Sequence, residues 1–358
     1  MAKLSTLMAI LALSVATHGH PSTEEAEQAY FESRRQVVAN TKHNLEKCIN
    51  SPASRALRNR AVARRAARAT ELRQRFGIKT AAAAHVRRDS ASLEKWASIS
   101  HDYTASGFDL NTPTDVIFAS NTTCALVPET IIGPYFVDGE LLRTDITDGE
   151  PGVRTHVDFQ FINIKTCEPV PELVIDVWQA NSTGVYSGVS APSQGGLKTN
   201  FGRGIQVSNS DGVVEFDTIF PGHYVGRTNH IHVMSTDQAN LLLNGTFEGG
   251  TVRHIGQTYF DQSLIAAVEA VEPYVRNKQN VTSNLQDKYT GDQATPEYDP
   301  FFKHVYLGDS VDDGILVWLT IGLDLDANYN KNRTPAAHWH PGGGTDKRNG
   351  TGTLSSEL

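Results

Sequence analysis

From Thr155 onward the chain is written in short alternating or β-branched runs, each closed by Gly, Pro, Asn or Asp. That pattern predicts strands at His156–Ile164, Leu173–Ala180, Ile205–Val207, Val213–Ile219, His230–Met234, Gly256–Phe260 and Ile315–Gly322, with a hairpin turn at Asn209-Ser210-Asp211-Gly212. A single helix is expected among them, at Leu264–Val275. A parallel α/β sheet would need a helix after nearly every strand, so the reading is a mainly β chain folded as a β-sandwich with an N-terminal helical region. Two helices are expected ahead of it. One opens on the capping pattern Ser22-Thr23-Glu24-Glu25 and runs to about Cys48; the other follows Ser51-Pro52 and stops at Gly77.

The extreme N-terminus reads as a signal peptide over residues 1–19: Lys3, an apolar stretch from Leu4 to Val15, then small residues around Ala16 and Gly19. The remaining division is a helical region or prosegment at 20–100, a sandwich domain at 101–330 and a flexible tail at 331–358. No later segment approaches the roughly 18 consecutive apolar residues of a membrane helix, so the expected product is secreted and without a membrane partner. Sequons at Asn121, Asn181, Asn244, Asn280, Asn332 and Asn349 agree with export.

Charge sharpens the division. The chain of 358 residues carries 32 basic and 40 acidic side chains, a net of −8, which argues against nucleic acid as a partner. Between Arg55 and Arg88, however, stand eleven Lys or Arg and one acid, Glu71. The basic helix is read as a solvated face, with a surface for acidic partners or a detachable prosegment ending at Arg87-Arg88 as alternatives. A helix facing an acidic remainder also suggests a helix-exchanged homodimer. The three cysteines are Cys48, Cys124 and Cys167. Pairing Cys124 with Cys167 would remove about 4 kcal/mol of unfolded-state freedom, and is the expected bridge. Cys48 is then a free thiol, an intermolecular bridge, or a sign that the pair is another.

The sharpest chemistry is His230-Ile231-His232. In a strand, residues i and i+2 point to one face, so the two imidazoles stand together as half of a metal site, or as two polar groups on a solvent face. Pro221-Gly222-His223-Tyr224 sets a turn just before Tyr224, and the Trp178 strand ends in a turn that presents Tyr186 at the sheet edge. Either tyrosine alone is commonly a packing residue. Two phenolates with two imidazoles form a hard, anionic donor set that suits Fe(III) better than zinc or copper(I).

These pieces together make the chain similar to the intradiol ring-cleavage dioxygenases, nearest the secreted fungal branch, over about Val127–Leu323. They are Gly133-Pro134-Tyr135-Phe136, the Trp-x-Ala-Asn-x-x-Gly-x-Tyr segment ending at Tyr186, Pro-Gly-x-Tyr at Tyr224, and Arg227-x-x-His230-x-His232. The resemblance implies a β-sandwich and a non-haem Fe(III) held by Tyr186, Tyr224, His230 and His232. It implies a small aromatic diol and O₂ as partners, with the ring cut between its oxygenated carbons to a muconate-type diacid. Tyr224 then corresponds to the tyrosine that releases the metal and takes a substrate proton, and Arg227 to the arginine against the substrate ring, charged at any working pH. Gln257 corresponds to a glutamine on the strand after the histidines.

The chain departs from bacterial catechol-cleaving relatives in the short Val225–Asn229 connection and in the insertion of Leu241–Gly250 before Gln257. Gln179-Ala180 stands where secreted fungal relatives often have His-Cys. Asn181, inside the site motif, is expected to be unmodified. The rival readings are a sandwich that binds phenolic polymer or carbohydrate without turnover, and a copper protein using a mature N-terminal His20. The full four-donor set with Arg227 favours the enzyme. The sequence leaves the particular diol open.

Overall fold

The computed structural model describes residues 48, 51–78, 102, 132–287, 289–290 and 299–347. The expected first helix, the signal segment, His20, Arg87-Arg88 and Cys124 lie outside these residues. Helix α1 (Pro52–Arg75) starts as the sequence predicts: Ser51 caps it, its hydroxyl accepting from the Ser54 N–H at 3.0 Å. The strands that follow are β1 (Val137–Asp138), β2 (Arg154–Asn163), β3 (Val174–Trp178), β4 (Arg203–Val207), β5 (Val213–Ile219), β6 (His230–Leu241) and β7 (Phe247–Tyr259). After helix α2 (Gln262–Glu269) come β8 (Lys303–Tyr306), β9 (Ile315–Leu323), β10 (Ala337–His338) and β11 (Thr345–Asp346).

Two four-stranded sheets, β5-β2-β9-β8 and β4-β3-β6-β7, form a sandwich. Only β2 and β9 pair in parallel within them. The interior joins Val157, Phe159 and Phe161 of β2 and Val317, Leu319 and Ile321 of β9 to Ile175, Val177, Ile231 and Val233 of the opposite sheet. Leu264, Ile265 and Val268 of α2 close one end of this core. The expected helix to Val275 is shorter because Pro273, in a cis bond after Glu272, cannot continue it; a 3₁₀ turn at Tyr274–Arg276 follows. Strands β6 and β7 reach beyond the predicted ends, because polar residues such as Asp237 and Asn240 hide a ladder held by backbone hydrogen bonds.

Three expectations change. The outer half of β2 is covered by α1, so the basic helix is not a solvated face. Ala66, Ala69 and Leu72 pack on Leu316 and Trp318, while Arg65, 1 % exposed, pairs with the equally buried Asp158 at 3.2 Å. Arg60, Arg64, Arg68 and Arg75 reach Asp211, Asp158, Glu215 and Asp217. The helix thus finds its acidic complement in its own chain. Second, Cys167 is bonded to Cys48, not to Cys124. Docking of α1 brings Cys48 to the end of β2, where its Sγ lies 3.6 Å from the Ile164 carbonyl. Third, residues 331–347, read as the start of a tail, carry β10 and β11, which build a small sheet with β1; buried Ala337 anchors it.

Candidate metal centre

β6 is flanked by β3 and β7, so its side chains have neighbours on both sides. Alternation along it places Ile231 and Val233 in the sandwich core and His230 and His232 on the opposite face, both buried. His230 Nδ1–H donates to the Thr228 carbonyl at 2.6 Å, which fixes the tautomer and leaves Nε2 as a lone-pair donor. The two Nε2 atoms are 3.2 Å apart. Trp178, opposite His232 in the β3–β6 ladder, stacks on its ring with centroids 4.7 Å apart and planes 8° from parallel.

Two turns deliver the tyrosines. In the first, the Asn181 side-chain oxygen accepts from the N–H groups of Thr183 and Val185, and the Gln194 side chain accepts from the Tyr186 N–H at 2.6 Å. In the second, Gly222 donates its N–H to the Asn181 carbonyl at 3.0 Å, and a Cβ there would stand 2.4 Å from the Ser182 oxygen. Glycine at 222 therefore lets the two turns touch, and with them the two phenols. Tyr186 and Tyr224 each place their hydroxyl 3.4 Å from His230 Nε2. Buried Arg203 ties the turn to the Gly133-Pro134-Tyr135 loop by donating to the carbonyls of Tyr135 and Ser187, both at 2.7 Å. The rings of Tyr135 and Tyr186 lie 4.8 Å apart.

The structure thus gathers the four predicted donors in one buried pocket. Separations of 3.2–3.4 Å match those of donors about 2 Å from a shared ion. Burial, then the charge of Arg227, pushes the His230 pKa down to about 3, and burial drives His232 well below its ordinary value, so both rings are neutral. Burial likewise raises Tyr186 well above the usual phenol range and raises Tyr224. A site that resists ionisation of two adjacent phenols fits a highly charged cation, which would repay that cost. Among the described residues no three His, Cys, Asp or Glu side chains form a metal cluster, so the tyrosines are what complete the set.

The other predicted residues are close by. Gln257 on β7 pairs with His232 despite the insertion between them, because the extra residues extend the β6–β7 hairpin and a bulge at Ser235/Thr236 absorbs the odd one. Its side-chain oxygen accepts from Arg227 Nη2 and, at 3.1 Å, from the Tyr259 hydroxyl. Burial disfavours the Arg227 charge, but Tyr224, Tyr259 and Asp287 more than offset it, and the guanidinium stays protonated. Asn181 Nδ2 is used, donating to Glu150 at 2.8 Å. Trp178 opens the motif that ends at Tyr186, but nothing in that spacing shows that its ring backs His232. Asp287, whose carboxylate is 2.8 Å from Arg227 Nε, lies in a polar stretch with no periodicity, and its partner is sixty positions away, so nothing local marks it.

Residues 131–244 match the family described as Dioxygenase. The protocatechuate 3,4-dioxygenase beta chain of Burkholderia cepacia is 29% identical over 142 residues, which cover 39% of this chain and 58% of that one. The chain therefore spans little more than half the length of that relative. Among solved structures, an intradiol ring-cleavage dioxygenase from Tetranychus urticae is 28% identical, covering 58% of this chain and 98% of its own, with a TM-score of 0.49. Catechol 1,2-dioxygenase from Pseudomonas arvilla C-1 is 18% identical, covering 58% and 67%, with a TM-score of 0.39. The matched segment contains Tyr135, Tyr186, Tyr224, Arg227, His230 and His232, the motif residues that the fold draws together, and over that segment the chain is similar to the intradiol ring-cleavage dioxygenases.

Proposed function

We propose that this protein is a secreted intradiol dioxygenase that cleaves catechol-type rings with O₂, using non-haem Fe(III) held by Tyr186, Tyr224, His230 and His232. The observation that carries the reading is the meeting of two phenols and two neutral imidazoles in one buried pocket beside a charged arginine. Bound there, Fe(III) would supply the charge that stabilises an aromatic diol as its dianion and the one-electron chemistry that lets it meet O₂.

The chain's own groups have separate tasks. His230 and His232 are held rigidly, one by the Thr228 carbonyl and the other by the Trp178 ring, so neither needs to reorient during turnover. Tyr186 is fully buried and fixed by its turn, whereas the partly exposed Tyr224 sits on the short Pro221–Tyr224 turn and is the better placed phenol to take a substrate proton at Oη. Arg227 offers a permanent positive charge to negative charge that develops on the ring. Its hydrogen bond to Gln257 keeps the guanidinium in the pocket. Secretion is supported by the Cys48–Cys167 bridge, which calls for an oxidising compartment, together with the N-terminal apolar stretch and the sequons.

The test is a visible absorption spectrum with metal analysis of the purified protein, before and after anaerobic catechol. The expected result is one iron per chain and a tyrosinate charge-transfer band that shifts when catechol is added. A protein that stays colourless after ferric reconstitution, or that retains copper instead, would sink the proposal.

A further inference from the structure

Asn284, Asp287 and Tyr289 pack against the loop that carries Arg227. Asp287, with a side chain that is 0% exposed, uses both carboxylate oxygens. Oδ2 accepts from Arg227 Nε at 2.8 Å and from the Thr228 N–H at 2.9 Å. Oδ1 accepts from the N–H groups of Tyr289 and Thr290 at 2.8 and 3.2 Å, which anchors the carboxylate to its own segment. The Tyr289 ring lies under the guanidinium, 4.6 Å from its carbon. Asn284 completes the attachment, accepting from the Thr228 hydroxyl at 2.7 Å and donating to the Phe260 carbonyl at 2.8 Å.

A buried carboxylate of this kind is costly unless it performs a defined pairing, and here Oδ2 is spent on residues 227 and 228 while Oδ1 fastens the carboxylate to its own segment. An arginine side chain has four freely rotating bonds. The bond at Nε, the ring beneath the plane and Gln257 at Nη2 together leave it one orientation. Thr228 is held at its N–H and at its hydroxyl, and its carbonyl is the acceptor that sets the His230 tautomer.

We infer that Asp287 is a positioning residue that, with Tyr289, aims the Arg227 guanidinium at the bound diol and steadies Thr228 behind His230. The inference rests on the ring-cleavage reading of the site. It places a positioning element in a segment outside the matched family region, which ends at residue 244.

The experiment is anaerobic catechol titration of the Fe(III)-loaded protein, read by the shift of its visible band, for D287N, R227Q and the double variant. D287N is expected to keep the resting band and weaken catechol about tenfold, as loss of a charge-assisted positioning bond should. Added to R227Q, the same change is expected to cost less than about twofold, because the group it positions is already gone. Unchanged catechol affinity in D287N, or a full further tenfold loss in the double variant, would overturn the inference. Should D287N fail to fold, Tyr289→Leu removes the supporting ring without uncovering a charge. About threefold weaker binding, again absent in the R227Q background, is expected of it. Undiminished binding would count against the inference in the same way. An unsubstituted protein with no catechol-sensitive band would instead bring down the ring-cleavage reading itself.

Discussion

A methyl group added at Gly133 would stand 3.3 Å from Cε1 of His232, on a residue whose φ is +78°. Both facts resist any other side chain: the left-handed backbone costs an L-residue about 1 kcal/mol or more, and the contact falls on a proposed metal ligand. Gly133→Ala is therefore expected to lower stability modestly and to weaken iron retention about tenfold, the usual effect of disturbing what orients a ligand. Dialysis of the loaded variant against a chelator, followed by iron analysis, checks this, and parental retention would refute it. At this scale the sequence is legible where chemistry and local geometry coincide. His230 and His232 are two apart on a strand, and Tyr224 follows its own Pro-Gly turn, so a short window contains the argument. Asp287 has no such window. Its meaning lies in Arg227, and only the closed fold makes the two neighbours.

The same contrast holds between elements. Ser51 and Gly77 bracket α1 in the sequence, and the β-branched runs mark most strands, because those signals are local. What α1 packs on is not local: Arg65 meets Asp158 and Arg68 meets Glu215 across 93 and 147 positions. A row of arginines looks the same whether it faces water or a sheet face rich in acids. The interface also has a pH signature. Burial opposes a charged His156, but hydrogen bonds to Asp217 at 2.7 Å and Glu215 at 3.3 Å outweigh it and raise its pKa above 6.5. That contribution is complete below pH 6.5 and is lost as pH rises through the raised value. For Glu215 burial is again overcome, by His156 and Arg68, and its pKa is pushed down from 4.5 to about 2, so its contribution is complete above pH 4.5 and lost as pH falls towards 2. Urea midpoints are expected to form a plateau from about pH 4.5 to 6.5 with a decline on either side. H156Q should flatten the alkaline decline, and an alkaline limb unchanged in that variant would show that the pairing does not contribute to stability.

Across the whole molecule, the Cys48–Cys167 bridge closes a loop of 119 residues between the segment before α1 and the β2–β3 turn. By loop-closure entropy such a bridge limits the unfolded chain by about 5 kcal/mol, more than the shorter Cys124–Cys167 loop would. Its larger consequence is topological. Helix α1 is held to the sandwich twice, by buried charge pairs and by a covalent bond, and the chain between them is long. One backbone cut between residues 78 and 132 therefore cannot release the helix, which separates this arrangement from a detachable prosegment. A protein nicked there, at Arg87-Arg88 or by added trypsin, is expected to run as one species on a denaturing gel without reductant and as two with it. Had Cys124 been the partner of Cys167, a cut ahead of it would free the helical fragment under denaturing conditions without reduction, and that outcome would reject the bridge. The nicked protein should also keep its visible band and its catechol response until it is reduced and denatured, because every residue proposed for the centre lies on the domain side of the cut.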